Sequence, residues 1–310
     1  MHPRRGGLKF HDLNGVATTV SYRGRLSEIL ESQQRWPEGF VCPAWGHRVA
    51  WIIHRQDQHG IDLYGCQACR RQARVTAGTM FHRSQAPLPL WFWPIYLMAF
   101  DKRNVAALTL ARDLRVAYHM TWLLHHKIQQ AMVQRNEQYK LGGLMELGDA
   151  YFGGVPHGPG KRGRGTDQDP SRVGVSLDEQ SHPQYGFLDK VPDLTQDTVT
   201  QGLPEQVEPQ STWRTDGAEV YAKAAKVLKA TLDVTRSTGP QAAEIVHGVH
   251  VFIRHTQASL DGTYYGFERA RRGLYFTEFV YQFTHRHFGS RLPERLLLAC
   301  GTVHPPPYGT

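Results

Sequence analysis

Two acidic residues stand where strand-like stretches end. In MELGDAYFGG (145–154), Asp149 closes a run that reads as a buried strand and is followed by paired glycines. In STWRTDG (211–217), Asp216 ends a second such run, and Gly217 lets the backbone turn tightly beside it. Carboxylates at the ends of neighbouring strands, joined by a third ligand from a later helix, make a seat for two divalent cations. One cation activates a water or a 3′-hydroxyl and the other stabilises the leaving oxygen of a phosphodiester. An aspartate at the end of the second run also suits a helix N-cap, so Asp216 is ambiguous alone; only the constellation argues for metal.

A second set of ligand-type residues lies upstream. Cys66 and Cys69 form a C-x2-C turn in GCQACRRQARVTAGTMF, and Cys42 opens the turn C-P-A-W-G-H. Tetrahedral zinc, with sulfur ligands near 2.3 Å, draws them from two tight turns facing each other across a small hairpin, the layout of a zinc ribbon. Trp45 stands where a fourth cysteine is expected, and His47 is the nearest nitrogen, although C-x4-H is wider than the usual turn. Two readings stay open: His47 completes a site with Cys42, Cys66 and Cys69, or the ribbon is degenerate and holds zinc weakly or not at all. With no apolar h-region behind the basic start MHPRRGGLKF, four cysteines, three of them clustered, point to metal rather than disulfides.

The elements that must carry these residues follow from periodicity. From 87 to about 138 the pattern is helical. NVAALTLARDL, a short RV connector and AYHMTWLLHHKIQQAM outline a helix-turn-helix whose second helix would present His119, Thr121 and either His125 or Lys127 to a major groove; a plain helical pair has the same pattern. Alternation then predicts strands over 144–152, 172–179, 184–192 and 211–217, with helices over 195–207, 217–230, 241–258 and 266–287. Such an order implies an α/β mixed sheet with helices packed over it. Residues 156–171 form a Gly/Pro loop bearing Lys161, Arg162 and Arg164, which suits either a solvated hairpin tip or a phosphate backbone. The chain thus divides into a helical segment (1–36), a ribbon (37–86), a helical segment (87–140), the α/β domain (141–290) and a tail (291–310).

Over 310 residues, 36 Lys and Arg against 28 Asp and Glu give a net charge of +8, so the expected partner is anionic, nucleic acid or an acidic membrane. The most apolar run, PLPLWFWPIYLMAF, contains Pro94 and falls short of the roughly 20 residues a spanning helix needs. We therefore expect no membrane insertion and a cytoplasmic location.

Taken together, RWPEGFVCP, GCQACRRQARVTAGTMFHRS, LLHHKIQQAM, DAYFGG, GKRGRGT, WRTDG, GTYYG and EFVYQF resemble, in order, the zinc-ribbon group of bacterial insertion-sequence transposases, relatives of the eukaryotic Merlin elements. The resemblance implies an RNase H-like catalytic domain preceded by a zinc ribbon and a DNA-binding helical segment. It also implies Mg2+ or Mn2+ at a two-metal centre, structural Zn2+, and double-stranded DNA as partner, both terminal repeats and target. A homodimer or larger assembly in a bacterial, nucleoid-associated setting would follow. The subgroup carries histidine as third catalytic residue, which falls on His250 beside Asp216; Glu278 is the rival. Four positions depart from the pattern. The first catalytic acid falls on Gly148, so Asp149 is displaced by one residue, and a lysine, a cysteine and an asparagine are replaced by Gln257, Trp45 and Thr284. Successive strand residues face opposite ways, so Asp149 is a poor substitute for an acid at 148. The resemblance therefore implies a transposase with impaired cleavage and strand transfer, or a DNA-binding remnant that no longer cuts.

Overall fold

The computed structural model describes residues 35–54, 61–101, 104–153, 168–215, 219–234, 246–263 and 272–303. The N-terminal helical stretch, the basic loop with Lys161, Arg162 and Arg164, and Asp216 lie outside the described residues. The chain forms two compact units: 1–101 with 105–132 and 290–310, and 102–104 with 133–289.

In the first unit, β1 (Ala50–Ile53), β2 (Leu63–Cys66) and β3 (Gln72–Arg74) form an antiparallel sheet. Trp36, Phe40 and Tyr64 pack edge-on or stacked behind it, with Trp36 and Tyr64 ring centres 4.7 Å apart. Helices α1 (Leu88–Phe100), α2 (Ala107–Leu114) and α3 (Tyr118–Asn136) follow; the unit boundary falls inside α3. Arg115 ends α2 in the left-handed region (φ 54°), which produces the tight turn expected at the RV connector. Residues 292–302, which sequence reading left in the tail, form α8 (Leu292–Thr302) and pack against α1. Its apolar stripe Leu292, Leu296, Leu297 and Cys300 is buried.

The second unit holds a five-stranded sheet of β4 (Leu144–Phe152), β5 (Asp169–Leu177), β6 (Pro183–Lys190), β7 (Thr212–Thr215) and β8 (Thr231–Val234) in the order β6-β5-β4-β7-β8. The first three strands are antiparallel, whereas β7 and β8 run parallel to β4. This is the RNase H-like arrangement. The short strand β8 escaped sequence reading, since four residues at an edge carry no alternation long enough to notice. Helices α4 (Gln196–Gln206) and α5 (Val220–Leu228) cover one face, and α6 (His247–Thr263) and α7 (Arg272–His285) the other. The pleat of β4 sorts its side chains accordingly. Met145 and Leu147 join Val199, Leu203 and Tyr221, while Ala150 and Phe152 join Val249, Phe252 and Phe276. Among the described residues no helix is long and apolar enough to cross a membrane.

Candidate catalytic site and metal centre

The β4 pleat decides which residue can answer to α6. A Cβ built on Gly148 would come 3.0 Å from Val249 Cγ1, so position 148 faces α6. Asp149 faces the other way: the Tyr221 hydroxyl, on α5, donates to Asp149 Oδ1 at 2.7 Å. Its cross-strand partner Arg172 lies on that same face, donating to the Val199 carbonyl at 3.4 Å and pairing with Asp189 at 3.3 Å. Burial pushes the Asp189 carboxyl up to about 6; Arg172 pulls it down, and Glu205 and Glu137 add to the rise.

His250 sits exposed near the start of α6, one residue beyond the buried Val249. Glu278, the rival third acid, is wholly buried in α7. Gln257 is exposed on α6. The Thr284 hydroxyl both accepts from the Gly186 amide (3.4 Å) and donates to the Gly186 carbonyl (3.3 Å), which ties α7 to β6. Thr284 thus keeps a fastening role.

Sequence reading missed Glu146. It lies two residues before Gly148 on the same face and is 4% exposed. Its Oε2 accepts from the Val249 backbone amide at 2.9 Å, and the Gly248 amide also donates to it. These amides belong to the first turn of α6, which has no intrahelical acceptor for them and carries partial positive charge. Burial drives the Glu146 carboxyl up, and the two amides, then Arg214 and His247, pull against it. A Cβ at Gly248 would meet Glu146 Oε2 at 3.0 Å, so a side chain there would press on this carboxylate. Glu146 therefore pins the helix that carries His250 onto β4. The clue in the sequence was parity alone: residues 146 and 148 share a face.

A two-cation centre needs several oxygen ligands on one face. Among the described residues, position 148 offers none, Asp149 is turned to α5, and Glu146 is committed to the α6 amides. The described residues do not fit such a pair of ions.

The ribbon retains more of its design. Cys42, Cys66 and Cys69 bring their sulfurs within 4.8 Å of one another, Cys42 and Cys69 at 3.6 Å. Thiolates about 2.3 Å from a tetrahedral zinc lie ~3.8 Å apart, so this cluster could hold zinc. The two turns repeat each other. The Cys42 amide donates to the His47 carbonyl (2.9 Å) as that of Cys66 does to Arg71 (3.0 Å). The Cys42 carbonyl likewise accepts from Gly46 as that of Cys66 does from Arg70, both at 2.9 Å. Gly46 and Arg70 both adopt positive φ, 68° and 58°. In this register Trp45 occupies the place of Cys69, and its side chain is 78% exposed. The backbone has kept the knuckle and lost the ligand. His47 Nδ1 lies 3.9 Å from Cys66 Sγ and 3.3 Å from the Val49 amide, and it stands outside the group of three sulfurs that lie within 4.8 Å of one another. The backbone amides of Ala44 and Trp45 and the neighbouring thiols hold the Cys42 thiol down to about 7 against its burial.

The helical pair presents a different face from the expected one. Thr121 is fully buried, its hydroxyl donating to Ala107 O (3.1 Å) and Tyr118 O (2.9 Å), and His125 is 1% exposed. The Lys127 ammonium donates to Met80 O (3.2 Å) and His82 O (3.3 Å). Thr121 thereby fastens α3 against α2, and Lys127 braces the 80–82 backbone. Of the candidates, His119 is exposed, with Tyr118 and Leu123 beside it.

Residues 140–284 match the family described as ISXO2-like transposase domain. Among solved structures, the catalytic core domain of BIV integrase is similar at 13% identity and a TM-score of 0.29, over 44% of this chain and 82% of that one. No curated protein matches.

Proposed function

We propose that the chain, whose residues 140–284 match the ISXO2-like transposase domain family, is a transposase that binds duplex DNA at element ends and is impaired in strand cleavage and transfer. The observation that carries the impairment is the split at β4: Gly148 faces α6 and Val249, whereas the remaining carboxylate, Asp149, is bonded to Tyr221 on the opposite face. Asp216 and His250 are the proposed remainder of the catalytic set. In an intact centre Mg2+ or Mn2+ would activate the attacking oxygen and stabilise the leaving one. A neutral imidazole is a poorer Mg2+ ligand than a carboxylate, so His250 suits a more weakly charged site. Zinc in the ribbon, held by Cys42, Cys66 and Cys69 with His47 as fourth ligand, has a structural role in this reading. Lys161, Arg162, Arg164 and His119 are the proposed DNA contacts, and the working form is a homodimer or larger, because two ends must be held together.

Nicking of supercoiled plasmid with Mn2+, beside binding of labelled duplex, tests the proposal. The native chain is expected to bind and not nick, and Gly148→Asp combined with Val249→Ala to nick in a metal-dependent way. Robust nicking by the native chain would refute impairment, and absence of duplex binding would refute the DNA-binding role. Binding by both proteins without any nicking would assign the scaffold to a DNA-binding remnant.

A further inference from the structure

The two knuckles of the ribbon share a backbone and differ in the side chains they present. Trp45, at the place that Cys69 holds in the second knuckle, is the most exposed of the seven tryptophans at 78%; Trp51 follows at 37%, and the other five are half-buried or buried. The Trp45 amide is directed at the Cys42 sulfur, and the Gly46 amide returns to the Cys42 carbonyl at 2.9 Å, so the turn fixes the backbone that carries the indole. Among the described residues the ring itself has no ring contact or hydrogen-bond partner. The second knuckle meets the first across the cysteine cluster. The Arg71 amide is directed at the Cys69 sulfur, which lies 3.6 Å from that of Cys42, so the backbones of Trp45 and Arg71 are separated by two hydrogen bonds and that gap. Arg71 and its neighbour Arg70, which adopts positive φ (58°), are both exposed and have no ion-pair partner among the described residues. Arg48, also exposed, is paired with Glu38 at 3.2 Å. Residues 39–54 and 63–74 contain no Asp or Glu. The knuckle end of the ribbon thus offers a bare indole beside unpaired guanidiniums.

We propose that this end of the ribbon binds single-stranded DNA, with the Trp45 indole stacked on an unpaired base and Arg70 and Arg71 on the backbone phosphates that flank it. The proposal rests on the DNA-binding reading above and adds to it a grip on unpaired strand, at a position where the transposase resemblance has a zinc ligand. An exposed indole gains by covering a face, and a base covers one while its phosphates stay within reach of guanidinium donors. Inside a duplex both faces of each base are already stacked on neighbours, so the ring finds an open face only where strands part. The net charge of +8 favours a polyanion of this kind.

The test is fluorescence anisotropy of the full-length protein with a labelled oligothymidylate about 20 nucleotides long, enough for one site, beside a labelled duplex of arbitrary sequence. Trp45→Ala is compared with Trp45→Phe and with Val227→Ala, an exposed apolar residue on α5; thermal melts and metal analysis confirm that fold and ribbon are unchanged. Losing the stack should weaken single-strand binding by ~5- to 150-fold and leave duplex binding within about twofold. Trp45→Phe should keep most of the affinity, and tryptophan emission should fall when the parent is titrated and hold steady in Trp45→Phe. Arg70→Gln combined with Arg71→Gln should flatten the slope of log K against log salt for the single strand by about 1.4. If Trp45→Ala weakens the single strand no more than Val227→Ala does, or weakens single strand and duplex alike, stacking on an unpaired base is overturned and the duplex-binding reading stands. Binding of duplex without any binding of oligothymidylate by the parent has the same meaning. If the parent binds neither, the DNA-binding reading falls as well.

Discussion

Gly148 and Val249 are predicted to be energetically coupled, with a change of sign. Gly148 does not adopt positive φ, so alanine is conformationally acceptable there, and replacing a strand glycine gains about 0.5–1 kcal/mol. Against this, the new Cβ lands 3.0 Å from Val249 Cγ1, inside the ~3.5–4.0 Å optimum for carbon atoms. Position 148 and Val249 are both buried, and overpacking of such a site costs about 1–3 kcal/mol. Gly148→Ala should therefore destabilise the chain by roughly 0.5–2 kcal/mol. In a Val249→Ala background the clashing methyl is gone, and the same substitution should stabilise by about 0.5–1 kcal/mol. Urea unfolding of the four proteins measures the coupling, expected at about 1–3 kcal/mol. Additivity within ~0.5 kcal/mol would refute the packing of position 148 against α6. Gly148→Asp adds a charge to the same steric term. Mn2+ should raise the Tm of Gly148→Asp/Val249→Ala and leave Gly148→Ala/Val249→Ala unmoved, which separates regained ligation from repaired packing.

Further outcomes follow from the same geometry. Tyr221→Phe, which removes the hydroxyl at 2.7 Å from Asp149, should cost about 1–3 kcal/mol and be non-additive with Asp149→Asn in a double-mutant cycle. Glu146→Ala should leave the Val249 and Gly248 amides unsatisfied, costing about 1–3 kcal/mol, and should speed amide exchange in the first turn of α6 ahead of the sheet. For Asp189, whose carboxyl rises from 3.8 to about 6 on folding, the folded state holds the proton more tightly. Its contribution is complete below pH 3.8 and is lost as pH rises through about 6. Asp189→Asn should flatten that fall, measured by unfolding at pH 4 and 7. In the ribbon, elemental analysis should find one zinc per chain; His47→Ala should weaken zinc retention against a chelator, and Trp45→Cys should strengthen it, because a thiolate at that knuckle position restores the fourth sulfur.

The order of elements was legible in the sequence, because hydrophobic periodicity depends only on neighbours a few residues apart. Strand 144–152 coincides with β4, and helix 195–207 with α4 to within one residue at each end. The three cysteines announced their cluster by spacing, and alternation along β4 alone said that residues 148 and 149 must part company. What alternation could not supply was the identity of each face. Only packing shows that α6 covers Gly148 and α5 offers Tyr221 to Asp149, since those helices lie some 70 to 100 residues further along the chain. The same limit hid the burial of Thr121 and the bracing of Lys127, where the helical pattern marked a polar stripe and tertiary contacts turned it inward. It also hid Glu146 on the α6 amides. A chain's local pattern fixes what each segment becomes; which charges meet is decided by how distant segments close upon one another.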